Sequence, residues 1–528
     1  MIFLNLISFL WFLKQIKSLF FWSYLWQLKE YHLGRFIDHF RTEKGKKIFL
    51  NPFLFFKIFL LLIALFSSSS LVIYSVFLVY FLEVLKFLKD FFQEKLLLPL
   101  FTKKIIFLNF FSFLFLIFFL FSVFEKKNFL SLILLFDILN SAVFSGFILT
   151  FQPFSSFFRY LIIKKAIKKR ENFKNLLVIG ITGSYGKTST KEFLATFLEQ
   201  KFPQKVLKTE EHQNSEVGIS QCILNNLNEE HKIFIVEMGA YNKGGIKLLA
   251  EISRPKIAIL TGVNEQHLAL FGSMENLISA EGGRELIESL PKEGLCIFNG
   301  ENEILRKIYQ KIKIRKKIVG IEKEKFDLRA ENLKVEKEKI SFEVVSKEGN
   351  SAVFEVKLIG KQNVENILLA ICCAKELGMD LKEISKISQK IKAEQSGIKL
   401  VKNKRGYNVL DATYSANPHS VLAHLEHLKC WSGKKAILMP CLIELGEKSK
   451  EIHRKIGEKI FEVVDLAIIT TKDYFKEIKE QAKERAIFSQ DRQEILSLLE
   501  KFSSKEDVIL LEGRISPSIL KFLYQNFN

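Results

Sequence analysis

The sequence predicts an α-helical membrane region followed by two α/β domains, a phosphate-loop central domain and a smaller Rossmann-like C-terminal domain. Three observations carry this expectation. Apolar, Phe-rich runs crowd the first third. A strand, a Gly-rich turn and a helix follow one another at 176–198. Strands and helices alternate through the last third. A chain of 528 residues has room for three or four domains, and the expected parts are 1–165, 172–358 and 359–528.

Phe occupies 52 positions and the formal net charge is +20. Residues 1–170 hold 22 Lys+Arg against 8 Asp+Glu. Positive charge beside long apolar runs points to a membrane and away from nucleic acid. The runs at 53–67, 71–85, 105–124 and 129–151 approach or exceed the roughly 20 residues that cross a bilayer. The Ser run at 67–70 permits a helical hairpin. Four spans put the basic segments 29–47, 86–104 and 159–170 on one side, which the positive-inside rule makes cytoplasmic. The "EKKN" loop at 125–128 departs from it mildly. Residues 1–26 form either an interfacial helix or a fifth span. Lys14 and Lys17 interrupt the run, and Trp11, Trp22 and Trp26 are scattered through it. No small-residue cleavage site follows, so a removed signal peptide is not expected. Asp137 falls inside a span, as a functional acid or as a helix-packing residue. The six cysteines all lie after the apolar region and form no C-x-x-C pair, so neither a disulfide framework nor a zinc site is expected.

In the middle third, "NLLVIGITGS" reads as a buried strand running into a Gly-rich turn, and "KTSTKEFLATFLEQ" as a helix with Phe193, Leu194, Phe197 and Leu198 on one stripe. This is the setting a phosphate loop needs. Gly183 and Gly186 let backbone amides approach phosphate, and the helix N-terminus adds its dipole. Lys187 can reach the β- and γ-phosphates, and the Thr188 hydroxyl can bind Mg²⁺. The usual G-x-x-x-x-G-K-S/T spacing would require Gly at 181, where the chain has Ile181. Three later strands end at Glu237, just before the loop carrying His267, and at Asn299. Ligands of open parallel sheets gather at such ends. A carboxylate and an imidazole there suit magnesium or acid–base work.

"GITGSYGKTSTK" resembles the phosphate loop of the Mur ligase family, G-x-T-G-S/T-x-G-K-T-S/T-S/T, which uses this shorter spacing. "VEMGAYNKGGI" and "LTGVNEQHLALFGSMEN" are similar to two further segments of that family. The resemblance implies an ATP site over Gly183, Ser184, Tyr185, Gly186, Lys187, Thr188 and Ser189, with Asn299 and Asp411 nearby. It implies magnesium on Thr188, Glu237 and His267, and Lys187, Glu237 and His267 as the catalytic set. "GKQNVENILLAICCAKELG" resembles the family's G-x-H-N-x-x-N helix, with Gln362 in place of His and Asn363 and Asn366 retained.

The last third reads as strands "NVLDATY", "KKAILMP", "LAIITT" and "VILLEG" separated by helices. "LDATYSANPHS" and "LIELGEKSKEIHRKIG" resemble the branch of the family that adds D-alanyl-D-alanine to a muramyl peptide. By that resemblance Asp411, Tyr414 and Asn417 face the nucleotide and the incoming amine. The similarity covers about 178–528.

Three family features are altered. The carbamylated lysine of A-K-x-E is replaced in "SAEGGRELIESL" by Glu281, Gly283 or Arg284, depending on alignment. A G-R pair reads Gly397-Ile398, with Lys399 close by. A late K-G-S-R reads Glu512-Gly513-Arg514. Members of the family normally begin with a soluble domain for the uridine-diphosphate sugar, whereas here the first 165 residues are membrane-like. The muramyl-peptide acceptor is therefore expected to be bound differently or to be lipid-linked. The resulting expectation is an ATP- and Mg²⁺-dependent, ADP-forming ligase at the cell membrane with cytoplasmic catalytic domains. The alternatives are a ligase of the poly-γ-glutamate synthase type and a non-catalytic ATP-binding scaffold.

Overall fold

The computed structural model describes residues 2–524 apart from 68, 94–95, 212, 322–324, 403–406, 415 and 503. The chain forms two compact units, Met1–Tyr160 and Leu161–Asn528.

The first unit is helical: α1 (Ile2–Leu28), α2 (Leu33–His39), α3 (Glu43–Phe49), α4 (Pro52–Phe66), α5 (Ser70–Phe92), α6 (Lys103–Phe124) and α7 (Phe129–Glu171), the last continuing into the second unit. Side-chain caps start several of them. Asn51 accepts from the Phe53 amide ahead of Pro52, and Thr102 accepts from Ile105. Among the described residues, five stretches are long and apolar enough to cross a membrane, including α1. The tryptophans of α1 turn inward. Trp11 donates to the Ile133 carbonyl at 3.1 Å, Trp22 to Asn140 at 3.0 Å and Trp26 to Ser145 at 2.9 Å. The partners advance together along both chains, so α1 runs parallel to α7. Buried indole N–H groups find acceptors while the rings fill the core. Outward faces carry Phe66, Phe118 and Phe121, all largely exposed, which suits a lipid surround.

The second unit holds two sheets. The central one is built from β1 (Leu177–Thr182), α8 (Lys187–Lys201), β2 (Val206–Lys208), α9 (Glu216–Asn226), β3 (Ile233–Glu237), α10 (Gly245–Ser253), β4 (Ile257–Leu260), α11 (Leu268–Phe271), α12 (Met274–Ala280), α13 (Arg284–Glu288), β5 (Leu295–Asn299), α14 (Glu303–Lys311), β6 (Arg315–Ile321), β7 (Leu328–Val335), β8 (Ile340–Ser346), β9 (Ser351–Val356), α15 (Gln362–Glu376) and α16 (Leu381–Ser388). Among the described residues the strand order is β2-β3-β1-β4-β5-β6-β7-β8-β9. The pairs from β2 through β7 are parallel, and β8 and β9 close the sheet as an antiparallel extension. Val178 and Ile179 point to opposite faces, and both are fully buried. One face packs on α8 and α15, the other on α9 and α10. The chain leaves β1 toward β2 and β3 on one side and returns to β4 on the other. The carboxyl end of β1 is thus the topological switch point.

The C-terminal sheet comprises β10 (Lys399–Lys402), β11 (Asn408–Ala412), α17 (Pro418–His427), β12 (Lys435–Met439), α18 (Ser449–Val463), β13 (Leu466–Ile469), α19 (Phe475–Ala482), β14 (Ala486–Phe488), α20 (Arg492–Leu499), β15 (Val508–Glu512) and α21 (Pro517–Tyr524). Its order is β10-β11-β15-β12-β13-β14. Among the described residues only β10 is antiparallel to its neighbour.

The end of α7 is anchored by Arg170. Its guanidinium donates to the carbonyls of Ser253 (2.9 Å), Phe173 (2.8 Å) and Leu176 (3.2 Å). Arg170→Ala would leave these acceptors without their donor in a buried setting, so a loss of about 2–4 kcal/mol is expected. A lowered thermal midpoint for the α/β unit, read by circular dichroism, checks this.

Candidate functional site

The phosphate-type loop joins β1 to α8. Ile181 is not a failed loop glycine. It is a strand residue paired with Glu237 and fully buried. Gly183 adopts φ +148°, and a Cβ there would lie 2.1 Å from Thr261 Oγ1. Gly186 adopts φ +74°, and its Cβ would lie 2.3 Å from Asn366 Oδ1. Both positions exclude side chains. The loop is held from below: the Ser184 amide donates to the Gly262 carbonyl at 2.7 Å, and Thr261 Oγ1 donates to the Tyr185 carbonyl at 2.5 Å.

This loop forms one wall of a cavity of about 830 Å³ between the central and C-terminal domains. Ser184, Tyr185, Gly186, Lys187, Thr188 and Ser189 line it, as do Glu237 and His267. From the C-terminal domain come Asp411, Tyr414 and Asn417. Ser415, inside the same motif, lies outside the described residues. Two residues expected at the nucleotide are not brought to the cavity wall. Gly183 contributes its carbonyl, which accepts from Lys187 Nζ at 2.5 Å. Asn299 sits at the end of β5 as expected, but its side chain turns into the protein. Its amide donates to the Thr261 carbonyl and to Glu365, both at 2.8 Å.

Two carboxylates organise the polar wall. Glu237 Oε1 accepts from Thr188 Oγ1 at 3.1 Å and from Asn214 Nδ2 at 3.2 Å. Its Oε2 lies 3.3 Å from Lys191 Nζ. Glu281 accepts from Ser184 Oγ at 2.7 Å and faces His267 Nδ1 at 3.1 Å. Burial pushes the Glu281 carboxyl up, but His267, Lys187 and Ser184 together hold it below its ordinary value. The alternatives at 281–284 are thereby separated: Glu281 lines the cavity, Gly283 has no side chain, and Arg284 is exposed.

The C-terminal domain closes over this wall. His267 Nε2 lies 3.7 Å from Glu444 Oε2, and the Ala269 amide donates to the Glu444 carbonyl at 3.1 Å. Both residues have left-handed backbones, φ +65° at His267 and +67° at Glu444. Such strain concentrates at working sites. Asn264 donates to Asn417 Oδ1 at 3.2 Å. The Tyr185 ring stacks on His419, with centroids 4.1 Å apart. Burial lowers the His419 pKa to about 4, so the stacked imidazole is neutral at physiological pH.

Asp411 ends β11. It accepts from Thr413 and from the Tyr524 hydroxyl, and Lys399 Nζ lies 3.4 Å away. Burial pushes this carboxyl up, and the bonds from Thr413 and Tyr524 more than offset it. Lys399 thus brings a cation to the cavity next to Gly397-Ile398. Glu512 is buried and meets His424 Nδ1 at 2.8 Å.

No sequence motif singles out Lys191. It is fully buried beside Glu237, and its position on the Leu194–Leu198 stripe of α8 is the signal that could have found it. Tyr185–His419 and His267–Glu444 join distant segments and left no local signal.

Thr188 with Glu237, and His267 with Glu281, are the donor sets open to a hard cation. Among the described residues, no three His, Cys, Asp or Glu side chains converge on one point. A hydroxyl and a carboxylate fit magnesium, which keeps several waters and takes substrate phosphates as ligands.

Behind the loop, burial pushes the Glu365 carboxyl up to about 7, with the Asn299 bond opposing and Glu301 adding repulsion. A folded value above the unfolded value of 4.5 means that the folded state keeps a proton the unfolded state has lost. That contribution is complete below about 4.5 and disappears as pH rises to about 7. Glu365→Gln is expected to gain about 2–3 kcal/mol over the parent at pH 8 and almost nothing at pH 4.5. Paired denaturation curves at the two pH values read this difference.

Residues 181–374 match the Mur ligase middle domain, and residues 398–515 match the Mur ligase glutamate ligase domain. The chain is 26% identical over 346 residues to the UDP-N-acetylmuramoyl-tripeptide–D-alanyl-D-alanine ligase of Bacillus subtilis, covering 64% of this chain and 72% of the relative. It is 33% identical over 294 residues to the Synechocystis enzyme of the same name, covering 54% and 59%. The chain therefore spans between 59% and 72% of these relatives. Among solved structures, the MurF ligase of Thermotoga maritima in complex with ADP superposes with a TM-score of 0.61 at 26% identity, covering 70% of this chain and 84% of that one. MurF from Acinetobacter baumannii shares the fold, with a TM-score of 0.62 at 24% identity, covering 69% and 79%.

Proposed function

The chain belongs to the Mur ligase family, whose members are ATP-dependent, ADP-forming amide ligases, and on that premise we propose that it joins D-alanyl-D-alanine to a muramyl peptide. One observation carries the assignment: the phosphate loop opens into a cavity that Asp411, Tyr414 and Asn417 also line.

ATP lays its phosphates on the loop, where the backbone amides of 184–188 and the N-terminus of α8 offer positive potential. Lys187 leaves the Gly183 carbonyl and turns to the γ-phosphate. The acceptor carboxylate attacks the γ-phosphorus, the bond to the β-phosphate oxygen breaks, and an acyl phosphate and ADP form. The amine of the dipeptide then attacks the acyl carbon, phosphate leaves, and the nitrogen loses its proton. Thr188 and Glu237 would hold magnesium, with His267 at the same wall. The ion supplies charge neutralisation at the phosphates. Contacts from Asn264 to Asn417 and from His267 to Glu444 favour the closed cavity that keeps water from the acyl phosphate.

A position in the cell membrane is supported by the five candidate spans of the first unit, and cytoplasmic catalytic domains by the basic segments 29–47, 86–104 and 159–170. The packing of α1 alongside α7 supports reading it as a fifth span. The acceptor is a lipid-linked muramyl peptide. ADP release by the full chain, with soluble UDP-linked and lipid-linked tripeptide in turn, tests this. Release should require both acceptor and D-alanyl-D-alanine. Equal kcat/KM for the two acceptors would rule out the lipid-linked preference, and release without dipeptide would rule out the ligase assignment.

A further inference from the structure

Lys191 stands on the apolar stripe of α8 with Leu194 and Leu198, and it is fully buried. A lysine in such a place is costly unless its charge is matched. Its Nζ lies 3.3 Å from Glu237 Oε2 and 3.3 Å from Glu192 Oε1. Among the described residues no carbonyl or hydroxyl accepts from it, so its charge is directed at the two carboxylates. Glu192 has a second cation, because its Oε2 accepts from Lys208 at 2.5 Å. The other side-chain partners of Glu237 are neutral. They are the Thr188 hydroxyl and the Asn214 amide, and both meet Oε1.

The two oxygens of Glu237 are thus divided. Thr188 and Lys191 are three residues apart on α8, so both side chains meet the end of β3 from one face of the helix. Oε1 goes with Thr188, and these are the atoms open to magnesium. Oε2 is engaged on the core side by the ammonium. A carboxylate held in this way offers an incoming ion one oxygen rather than two. That distinction separates two hard cations. Magnesium demands near-octahedral geometry, keeps waters and takes substrate phosphates, whereas the larger calcium ion accepts bidentate carboxylates in flexible geometry. The ammonium also offsets the carboxylate charge, which leaves an ion dependent on phosphate oxygens for the rest of its ligands.

We propose that Lys191 is a positioning residue that selects the ion at the phosphate loop: by engaging Oε2 of Glu237 it restricts this carboxylate to one-oxygen ligation and favours magnesium over calcium. The assignment rests on the nucleotide and magnesium reading above.

The test is equilibrium binding of ATP to the full chain in detergent, with Mg²⁺, with Ca²⁺ and with EDTA, in the absence of acceptor and dipeptide. The parent should bind ATP more tightly with Mg²⁺ than with Ca²⁺. In Lys191→Met, which refills the buried stem without the charge, Mg²⁺-supported affinity should fall about tenfold, the lower end for partners that orient a metal ligand. Ca²⁺-supported affinity should hold or rise, and binding in EDTA should match the parent. A merely structural role would weaken binding under all three conditions alike. Lys191→Gln keeps a neutral donor near Oε2 and should shift the ratio in the same direction by less. It carries the test if circular dichroism shows Lys191→Met to be unfolded. Lys201→Met, at the far end of α8 where Lys201 pairs with Glu383 at 3.2 Å, should keep the parental ratio. An unchanged Mg²⁺-to-Ca²⁺ ratio in the folded variant, equal losses under all three conditions, or a parent without preference for Mg²⁺ overturns the proposal. No turnover is measured. ADP release without dipeptide would sink the ligase reading without touching this ratio, and an unchanged ratio would leave the ligase reading standing.

Discussion

Lys187→Ala should lower ADP release by about 10³-fold, close to 4 kcal/mol of transition-state stabilisation, while leaving the thermal midpoint nearly unchanged. The separation of the two effects follows from where the ammonium sits. It donates to the Gly183 carbonyl, one turn back on its own loop. Nothing in either core depends on the lysine side chain, whose stem lines the cavity. Losing it removes the positive charge that would meet the γ-phosphate as negative charge moves toward the leaving ADP. Gly186→Ala is a contrasting perturbation. It forces a Cβ to 2.3 Å from Asn366 at φ +74°, so it should damage loop geometry and stability together. Single-turnover measurements at saturating ATP isolate the lysine effect. A Lys187→Ala enzyme within tenfold of the parent would mean that the phosphate transfer does not run through this loop.

The large features could be read from the chain because they are local. The phosphate loop, its two glycines and the helix after it are contiguous, and strand ends forecast the places of Glu237 and His267. The shorter loop spacing followed from a strand that runs on through Ile181. Side-chain direction was less accessible. Asn299 ends its strand as expected, yet its partners are the Thr261 carbonyl and Glu365, the latter 66 residues away. The tryptophans of α1 find their acceptors on α7, more than a hundred residues distant, and no local pattern announces those partners. Contacts such as Tyr185–His419 depend on how the two sheets meet. No periodicity encodes that.

Glu281→Gln should lower ADP release by about 10²-fold in a protein that still folds. The residue stands where the sequence offered three candidates for the family's carbamylated lysine. Arg284 is exposed to solvent. Gly283 cannot regain a side chain, because its φ is +81° and a Cβ would lie 2.2 Å from Leu260 Cδ2. Glu281 is 2% exposed, lines the cavity and holds both Ser184 and His267. A carboxylate at this place supplies the negative charge that a carbamate would supply, without needing carbon dioxide. His267, Lys187 and Ser184 overcome the burial penalty and hold the group below its ordinary value. It is therefore ionised at neutral pH. Its stabilising contribution is present above the unfolded pKa and is lost as pH falls through the folded one. Glutamine preserves shape and the Ser184 bond but removes the charge facing His267. The stability difference between parent and Glu281→Gln should consequently shrink as pH is lowered below the usual carboxylate range. Gly283→Lys, in contrast, should unfold the loop rather than rebuild the family's arrangement, and added bicarbonate should rescue neither variant. If Glu281→Gln turned over at the parental rate, the negative charge at Glu281 would have no part in the chemistry, and His267 would act without a charged partner from its own domain.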